Sequence, residues 1–258
     1  MNQPIQPQAA TDDAAPSVGD IDLAERGKDP DGSVIKLNRR LFMQFMAFRN
    51  GNGQQVANRF RDANVQAVLY QDVNDPRGYG VLVYCLDPAY LIDVIQPILQ
   101  EASINHEAGQ LQEEFTMLGR TYSIGYESDL EDVLVHRPCR RVCDPATPWA
   151  VYYPVRRSGA FERQPIGEQR KMLMEHGGIG HAFGKAGLAT DIRLAGHGLN
   201  KDDNDFIIGL LGGELFPLSA LVQKMRRTRQ TSEFIDHMGP FFVGRAVWQP
   251  EYDPAKLA

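Results

Sequence analysis

Two histidines stand close together in a glycine-containing segment, "LMEHGGIGHAFG", and their spacing limits the metal chemistry they could do. His176 and His181 are five residues apart, which is about 140° around a helix. Two histidines that share a metal from one helical face are four residues apart, so this pair does not form such a site. One histidine on one side of a planar cofactor fits better. Haem iron with a single histidine ligand and an open position is the usual arrangement for oxygen and peroxide chemistry.

Arginines gather on two short segments of an otherwise acidic protein. The segment "YYPVRR" contributes Arg156 and Arg157, and "MRRTRQTS" contributes Arg226, Arg227 and Arg229. Guanidinium groups bind carboxylates and phosphates through paired hydrogen bonds, so the cluster predicts an anionic ligand. For Arg226 and Arg229 an alternative stays open, because basic side chains near the end of a helix also stabilise its dipole.

The cysteines indicate a reducing compartment rather than a disulfide framework. Cys85, Cys139 and Cys143 are too few, and odd in number, for a chain of this length. Cys139 and Cys143 have CxxxC spacing without two further ligands nearby, which disfavours a zinc site.

Composition excludes several classes of protein. Of the 258 residues 43% are hydrophobic, enough for one large core or two of ordinary size. The net charge of −6 disfavours a nucleic-acid-binding protein, which needs an excess of Lys and Arg against phosphates. No apolar run approaches the ~18 residues of a membrane span, and no secretory signal is recognisable. We therefore expect a soluble cytoplasmic protein.

Hydrophobic patterning predicts one series of elements twice, after an N-terminal arm. Residues 1–36 lack aromatic residues and are rich in Gln, Pro, Ala and Asp, which predicts a disordered arm. The first half predicts strand 41–48, helix 53–64, strands 65–73 and 79–87, helix 88–100 and strand 115–127. The second half predicts strand 149–157, a helix from 167 to its glycines, strands 188–199 and 204–213, helix 215–230 and strand 239–248.

Both halves thus follow the order β-α-β-β-α-β, and "MLGRTY" in the first corresponds to "FVGRAV" in the second. This duplication predicts an α+β fold of two ferredoxin-like units side by side, a dimeric α/β barrel in type, with helices on one side of each sheet. Two such sheets could face each other and enclose a cavity. The expected boundaries are an arm (1–36), an N-terminal unit (37–128), a connector (129–148), a C-terminal unit (149–250) and a tail (251–258).

Four motifs in the second half resemble one family. "LMEHGGIGHAFG", "VYYPVRR", "GLNKDDNDFIIGL" and "MRRTRQTSEFIDHMGPFFVGR" are similar to the chlorite dismutase-like haem proteins, in particular their coproheme decarboxylase branch. The resemblance covers residues 38–248 and is densest after Trp149. It implies paired ferredoxin-like units assembled as a homopentamer, with haem in the C-terminal unit.

The resemblance also implies the roles of individual residues. His176 falls on the position of the proximal iron ligand, and Tyr153, not Tyr152, on the tyrosine that forms a radical beside the porphyrin propionates. Arg157 stands where that branch has lysine, which keeps the charge and changes the geometry. Arg227 and Ser232 match residues that hold propionates in the family, and a further propionate-binding arginine corresponds to either Arg140 or Arg141. Arg156, next to Arg157, is also a candidate.

The residue that faces the iron from the distal side stays open among three. A count forward from His176 gives Ala189, and a count back from the "GL" at 198–199 gives Asp191, because this loop is about two residues longer than in the family. Arg193 is the third candidate. All three share one face if this segment is a strand.

The function implied is decarboxylation of coproheme to haem b with hydrogen peroxide, in which the iron porphyrin is both substrate and cofactor. Tyr153 would be oxidised, and two propionates would become vinyl groups with loss of carbon dioxide. The alternatives are a chlorite dismutase, in which Arg193 steadies hypochlorite, and a haem-binding or haem-sensing protein without turnover.

Overall fold

The computed structural model of the protein describes residues 21–257. The strands are β1 (Glu25–Lys28), β2 (Val34–Leu37), β3 (Phe42–Arg49), β4 (Ala67–Asp72), β5 (Tyr79–Cys85), β6 (Gln110–Arg120), β7 (Trp149–Arg157), β8 (Thr190–Ala195), β9 (Phe206–Gly212), β10 (Ile235–Met238) and β11 (Phe242–Trp248). The helices are α1 (Gly53–Asp62), α2 (Gln96–Ile104), α3 (Arg137–Cys143), α4 (Gly159–Glu162), α5 (Ile166–Lys185), α6 (Leu215–Met225) and α7 (Arg229–Phe234). π-Helical turns lead into α2 and α3 at Leu91–Ile95 and Asp132–His136.

Each half of the chain contains one ferredoxin-like unit, as the repeat predicted. In the first half the strands lie in the order β4-β5-β3-β6, and in the second half in the order β11-β7-β9-β8. Each unit keeps the chain order β-α-β-β-α-β, with α1 and α2 in the first and α5 and α6 in the second. The predicted α+β fold is confirmed.

The two units close into one eight-stranded antiparallel barrel. Strand β4 of the first unit pairs with β11 of the second, and β6 pairs with β8 through Arg120 and Ala195. Because β7 also pairs with β9, the ring of strands has no free edge among these eight. Strand β10, which the sequence did not predict, pairs with the end of β7 beyond β11.

Side chains fill the interior of the barrel, so the sheets do not enclose the cavity that the sequence suggested. The rings of Phe45 and Tyr152 stack with centroids 4.5 Å apart, and the hydroxyls of Tyr70 and Tyr152 are 3.1 Å apart. Gly209 makes room for this packing, since a Cβ there would lie 2.4 Å from Cε1 of Tyr152. The barrel interior is therefore a core and not a ligand site.

The N-terminal segment departs from the sequence prediction. Residues 25–37 form an antiparallel hairpin in which Gly27 lies opposite Ile35, so the disordered arm predicted for residues 1–36 is wrong for this part. A Cβ at Gly27 would lie 2.1 Å from the carbonyl oxygen of Glu127, so only glycine allows this close approach. Ile35 packs against the core around Leu134, a long-range contact that composition does not reveal. Residues 1–20 lie outside the described residues.

Three helical segments also differ from the prediction. Helix α5 continues through its glycines to Lys185, and the helix expected over 215–230 is divided into α6 and α7. The connector at 129–148 contains α3, whose Cys139, Val142 and Cys143 pack into the barrel core. Within residues 21–257, no helix has the length and apolar character needed to cross a membrane.

Candidate functional site

His176 lies on the face of α5 that is turned toward the sheet. Its neighbours on that face are Met172, Ile179 and Phe183, at the spacing of one side of a helix, and Met172 and Phe183 are buried. His176 itself is half-buried, whereas His181 is exposed. Of the two histidines singled out by the sequence, only His176 is therefore directed into the protein.

A threonine holds one nitrogen of this histidine. His176 Nδ1 is 3.2 Å from Oγ1 of Thr228, which is 1% exposed and caps the N-terminus of α7. Thr231 Oγ1 lies 3.4 Å from the same nitrogen. Sequence reasoning missed Thr228, although a threonine directly before a helix is a common capping pattern that could have marked it.

The environment of His176 favours its neutral form. Burial lowers the pKa of the imidazole below its ordinary value of 6.5, and the positive charges of Arg157 and Arg193 lower it further. The nearby carboxylate of Asp191 acts in the opposite direction. A neutral imidazole is the form that binds a metal ion.

Tyr153 lies on the outer face of β7, beneath the helix layer. It is 5% exposed and belongs to the apolar cluster that includes Phe183 of α5 and Leu218 of α6. Its ring stacks on Phe241 with centroids 4.5 Å apart. Burial raises the pKa of the Tyr153 phenol well above its ordinary value, and the Asp191 carboxylate raises it further, so Tyr153 is a neutral phenol. The adjacent Tyr152 points the other way, into the barrel.

The three candidates for the distal position share one face, as the sequence predicted. Ile192 of β8 packs into the barrel, so Asp191 and Arg193 project to the outer face of the sheet. Ala189 directly precedes β8 and is buried in the cluster around Tyr153. Among these three only Asp191 and Arg193 carry polar groups toward the helix side.

Asp191 is held between two guanidinium groups. Arg193 Nε is 3.1 Å from Asp191 Oδ2, and Arg141 Nη1 is 3.4 Å from Asp191 Oδ1 and donates to its carbonyl oxygen. Of the pair that the sequence left open, Arg141 reaches this face, whereas Arg140 forms an ion pair with Asp132. The Asp191 carboxylate, together with these two guanidinium groups, therefore forms a cluster of net positive charge on the outer face of the sheet.

Arg157 lies between two aromatic rings at the end of the same face. Its guanidinium carbon is 4.3 Å from the ring centre of Phe161 and 4.8 Å from that of Phe206. Nη1 is 3.6 Å from Glu162, while the buried Nε has no hydrogen-bond partner within residues 21–257. A buried donor without an acceptor is costly, so this group is suited to an anionic ligand.

Other predicted ligand-binding residues lie apart from this face. Arg156 points away from Tyr153 and pairs with Asp203 at 2.9 Å. Arg227, between α6 and α7, and Ser232, within α7, are both exposed. In contrast Arg226, which the resemblance had not matched, lies with its guanidinium 5.8 Å from the ring of Phe241. The structure thus brings His176, Tyr153, Asp191, Arg193, Arg141 and Arg157 toward one region.

A small cavity lies between α3 and β8, on the Arg193 side of this region. It measures about 50 Å³ and lies between Arg137, Arg141, Asp191 and Arg193, with Tyr122 in its wall. This volume holds a few water molecules, whereas sites for larger organic ligands measure several hundred Å³.

Comparison of the sequence with models of protein families identifies one family. The sequence model of the family described as chlorite dismutase matches residues 109–247, more than half of the chain. A search of curated protein sequences finds no significant match.

Solved structures with this fold are distant in sequence. A protein provisionally designated chlorite dismutase TA0507 is 12% identical with a TM-score of 0.64, over 82% of this chain and 96% of that one. A heme-binding protein from Thermus thermophilus is 16% identical with a TM-score of 0.57, over 83% and 93%. A mutant chlorite dismutase from Candidatus Nitrospira defluvii in complex with cyanide is 13% identical with a TM-score of 0.55, over 83% and 93%. These structures agree with the fold, and the match of the family model shows that the chain belongs to the chlorite dismutase family.

Proposed function

We propose that the protein is a haem-dependent oxidoreductase that decarboxylates coproheme to haem b with hydrogen peroxide. The observation that carries the proposal is the position of Tyr153, a buried neutral phenol on the sheet face that lies opposite His176. A phenol on this face can exchange a hydrogen atom with a substrate group held next to it.

The residues of this face fit an iron porphyrin. His176 has Nδ1 engaged by Thr228, which leaves Nε2 for a metal. The buried Nε of Arg157 has no acceptor within residues 21–257, so it can donate to a propionate. Arg141 and Arg193 add positive charge beside Asp191. Bound haem iron would supply the capacity to react with peroxide.

We propose that α5 moves outward when the ligand binds, because Phe183 of α5 and Tyr153 of β7 belong to one packed apolar cluster that a porphyrin between the helix and the sheet has to part. Only Met172 and Phe183 of this 20-residue helix are buried. Gly167, Gly177 and Gly178 would each meet nothing within 4 Å if they carried a Cβ. The helix thus buries few apolar side chains, and polar contacts such as those of His176 with Thr228 and of Glu168 with Arg229 contribute much of its attachment, so its movement costs less than that of a fully packed helix.

Each of the two propionate side chains that react would lose carbon dioxide and two hydrogens to become a vinyl group, while one hydrogen peroxide is reduced to two waters; the other two propionates stay unchanged. Tyr153 would accept one hydrogen atom from the side chain and pass it on. Arg157 would hold the carboxylate in place by a charge-assisted hydrogen bond. Arg227, between α6 and α7, and Ser232, within α7, are proposed to bind further propionates, and Arg140 and Arg156 are weaker candidates because their partners lie elsewhere.

The comparisons support haem as the ligand. The chain belongs to the chlorite dismutase family, and one structural neighbour is a heme-binding protein. A second candidate function is chlorite dismutation, because Arg193 lies on the sheet face that would flank the iron. By resemblance to the family we also propose that the protein forms a homopentamer, which sedimentation of the purified protein would test. We further propose a cytoplasmic location, which fractionation of its host cells would test.

One assay on the purified protein tests the proposal. With coproheme and hydrogen peroxide, mass spectrometry should detect first a three-propionate intermediate and then haem b. Rapid evolution of oxygen from chlorite without haem b would support the second candidate instead. Tight porphyrin binding without either reaction would indicate a protein that carries or senses haem.

A further inference from the structure

We propose that Thr228 is a positioning residue for the iron ligand. Its hydroxyl accepts a hydrogen bond from Nδ1–H of His176 and thereby leaves Nε2 as a lone pair that faces the ligand region. That His176 binds iron rests on the proposed function. The tautomer of His176 is inferred from its hydrogen bonds alone.

The neighbours of the Thr228 hydroxyl decide which group donates. Oγ1 is 2.8 Å from the carbonyl oxygen of Met225, which can only accept. The hydroxyl hydrogen therefore points to Met225, and the lone pairs of Oγ1 face His176 Nδ1 at 3.2 Å. A neutral imidazole that donates from Nδ1 has its lone pair on Nε2.

A competing arrangement involves Thr231. Its Oγ1 is 3.4 Å from His176 Nδ1 and 3.2 Å from Thr228 Oγ1. If the Thr231 hydroxyl donated to Nδ1, the imidazole would carry its hydrogen on Nε2, and that nitrogen would not bind a metal. The shorter contact to Thr228 favours donation by Nδ1.

The surrounding backbone fixes Thr228. It is 1% exposed, and its amide donates to Met225 O at 3.0 Å while Ser232 N donates to its carbonyl oxygen at 2.9 Å. The residue thus joins the end of α6 to the start of α7 without freedom to turn. The Thr228 hydroxyl orients the imidazole. Because it is a neutral acceptor, it pulls the Nδ1 proton away from the ring less than a carboxylate would.

Three substitutions at Thr228 separate positioning from helix capping, and a fourth at Thr231 tests the competing arrangement. Thr228→Ser keeps the cap and the acceptor. Thr228→Asp also keeps a good cap and replaces the acceptor by a carboxylate, and Thr228→Val removes both at nearly unchanged volume. Thr231→Val removes the competing hydroxyl.

The tautomer is measured by solid-state NMR of the ligand-free protein labelled with ¹⁵N-histidine, at a pH above 7.5, with His176→Ala to assign the signals. We expect hydrogen on Nδ1 of His176 in the wild type, Thr228→Ser and Thr231→Val, and a mixture in Thr228→Val. Hydrogen on Nε2 in the wild type, or loss of the Nδ1 tautomer in Thr231→Val, overturns the inference. If Thr228→Val does not fold, the wild type, Thr228→Ser and Thr231→Val still decide.

The role toward iron is measured by resonance Raman spectroscopy of the ferrous haem complex. The iron–histidine stretching frequency should be unchanged in Thr228→Ser and higher in Thr228→Asp, since a carboxylate increases the imidazolate character of the ligand. An unchanged frequency in Thr228→Asp overturns the positioning role. If His176→Ala leaves the haem spectrum unaltered, the proposed function fails, while the NMR result on the tautomer stands by itself.

Discussion

Tyr153 and Arg193 flank the same residue, Ile208, from the two strands on either side of it. Tyr153 of β7 and Arg193 of β8 each lie directly opposite Ile208 of β9. Residues in register across strands point to the same face, and two strand spacings amount to about 10 Å. The residue expected at a propionate and the residue expected near the iron thus lie about 10 Å apart along the backbone of one sheet face, with Ile208 between them.

Tyr153→Phe is expected to bind coproheme and to stop its conversion. Removal of one group that takes part in the chemistry typically lowers the rate by on the order of 10²-fold or more. Single-turnover assays with hydrogen peroxide, followed by mass spectrometry, measure how much three-propionate intermediate and haem b the variant forms.

The matched control is Tyr152→Phe, on the opposite face of the same strand. It loses the 3.1 Å hydrogen bond to Tyr70 and should cost about 1 kcal/mol of folding free energy, with decarboxylation unchanged. Equal rates in Tyr153→Phe and the wild type would refute the role of Tyr153.

His176→Ala should abolish the five-coordinate histidine spectrum of the ferric haem complex, because His176 is the histidine of α5 that faces the sheet. His181→Ala, on the exposed side of the same helix, should leave the spectrum unchanged. Optical and electron paramagnetic resonance spectra of the two variants provide the comparison. Loss of the signal only in His181→Ala would reverse the assignment.

Arg157→Ala should weaken the binding of coproheme about tenfold or more, since a charge-assisted hydrogen bond contributes about 1.5–3 kcal/mol. Haem b, which has two propionates instead of four, should be affected less. Titration of both porphyrins into Arg156→Ala provides the comparison, and the loss of affinity should be smaller there because Arg156 pairs with Asp203 on the other side of the strand. An equal loss of affinity for both porphyrins in Arg157→Ala would remove Arg157 from substrate selection.

The three thiols should be unreactive in the folded protein. Cys85 and Cys139 are fully buried and Cys143 is 7% exposed, and burial raises the pKa of the Cys85 thiol to about 12. At pH 8 the reactive thiolate is therefore scarce as well as inaccessible. Ellman's reagent should detect no thiol in the native protein and three after denaturation. One thiol that reacts at the rate of free cysteine would show that part of this core opens readily.

The sequence predicted the paired units, because the order of their elements follows from local periodicity. The choice of Tyr153 over Tyr152 came only from the resemblance, and the structure adds that the two side chains lie on opposite faces of β7. Contacts between distant segments were not predictable in the same way. The partner of His176 lies 52 residues away at Thr228, and the choice of Arg141 over Arg140 depends on how α3 meets β8.

The distal position shows the same limit. A loop about two residues longer than in the family left Ala189, Asp191 and Arg193 open, and local pattern established only that they share a face. The pairing of Asp191 with both Arg141 and Arg193 distinguishes it from Ala189, and its contact with Arg141 depends on how α3 packs against β8.

Helix α5 should be the most readily opened element of the C-terminal unit before the porphyrin binds. It buries two side chains over 20 residues, and each interior glycine costs about 0.5–1 kcal/mol relative to alanine. Hydrogen exchange followed by mass spectrometry should show fast exchange in peptides from 166–185 and slow exchange in β7. Addition of coproheme should protect the helix.

Two variants make this expectation specific. In His176→Ala, coproheme should give α5 little protection, because the bond from the iron to the helix is missing. In Gly167→Ala, where an added Cβ meets nothing within 4 Å, the first turns should exchange more slowly even without ligand, by up to about fivefold for a gain near 1 kcal/mol. Exchange in α5 of the ligand-free wild type as slow as in β7 would show that the helix is firmly docked, and would contradict the outward movement proposed for porphyrin entry.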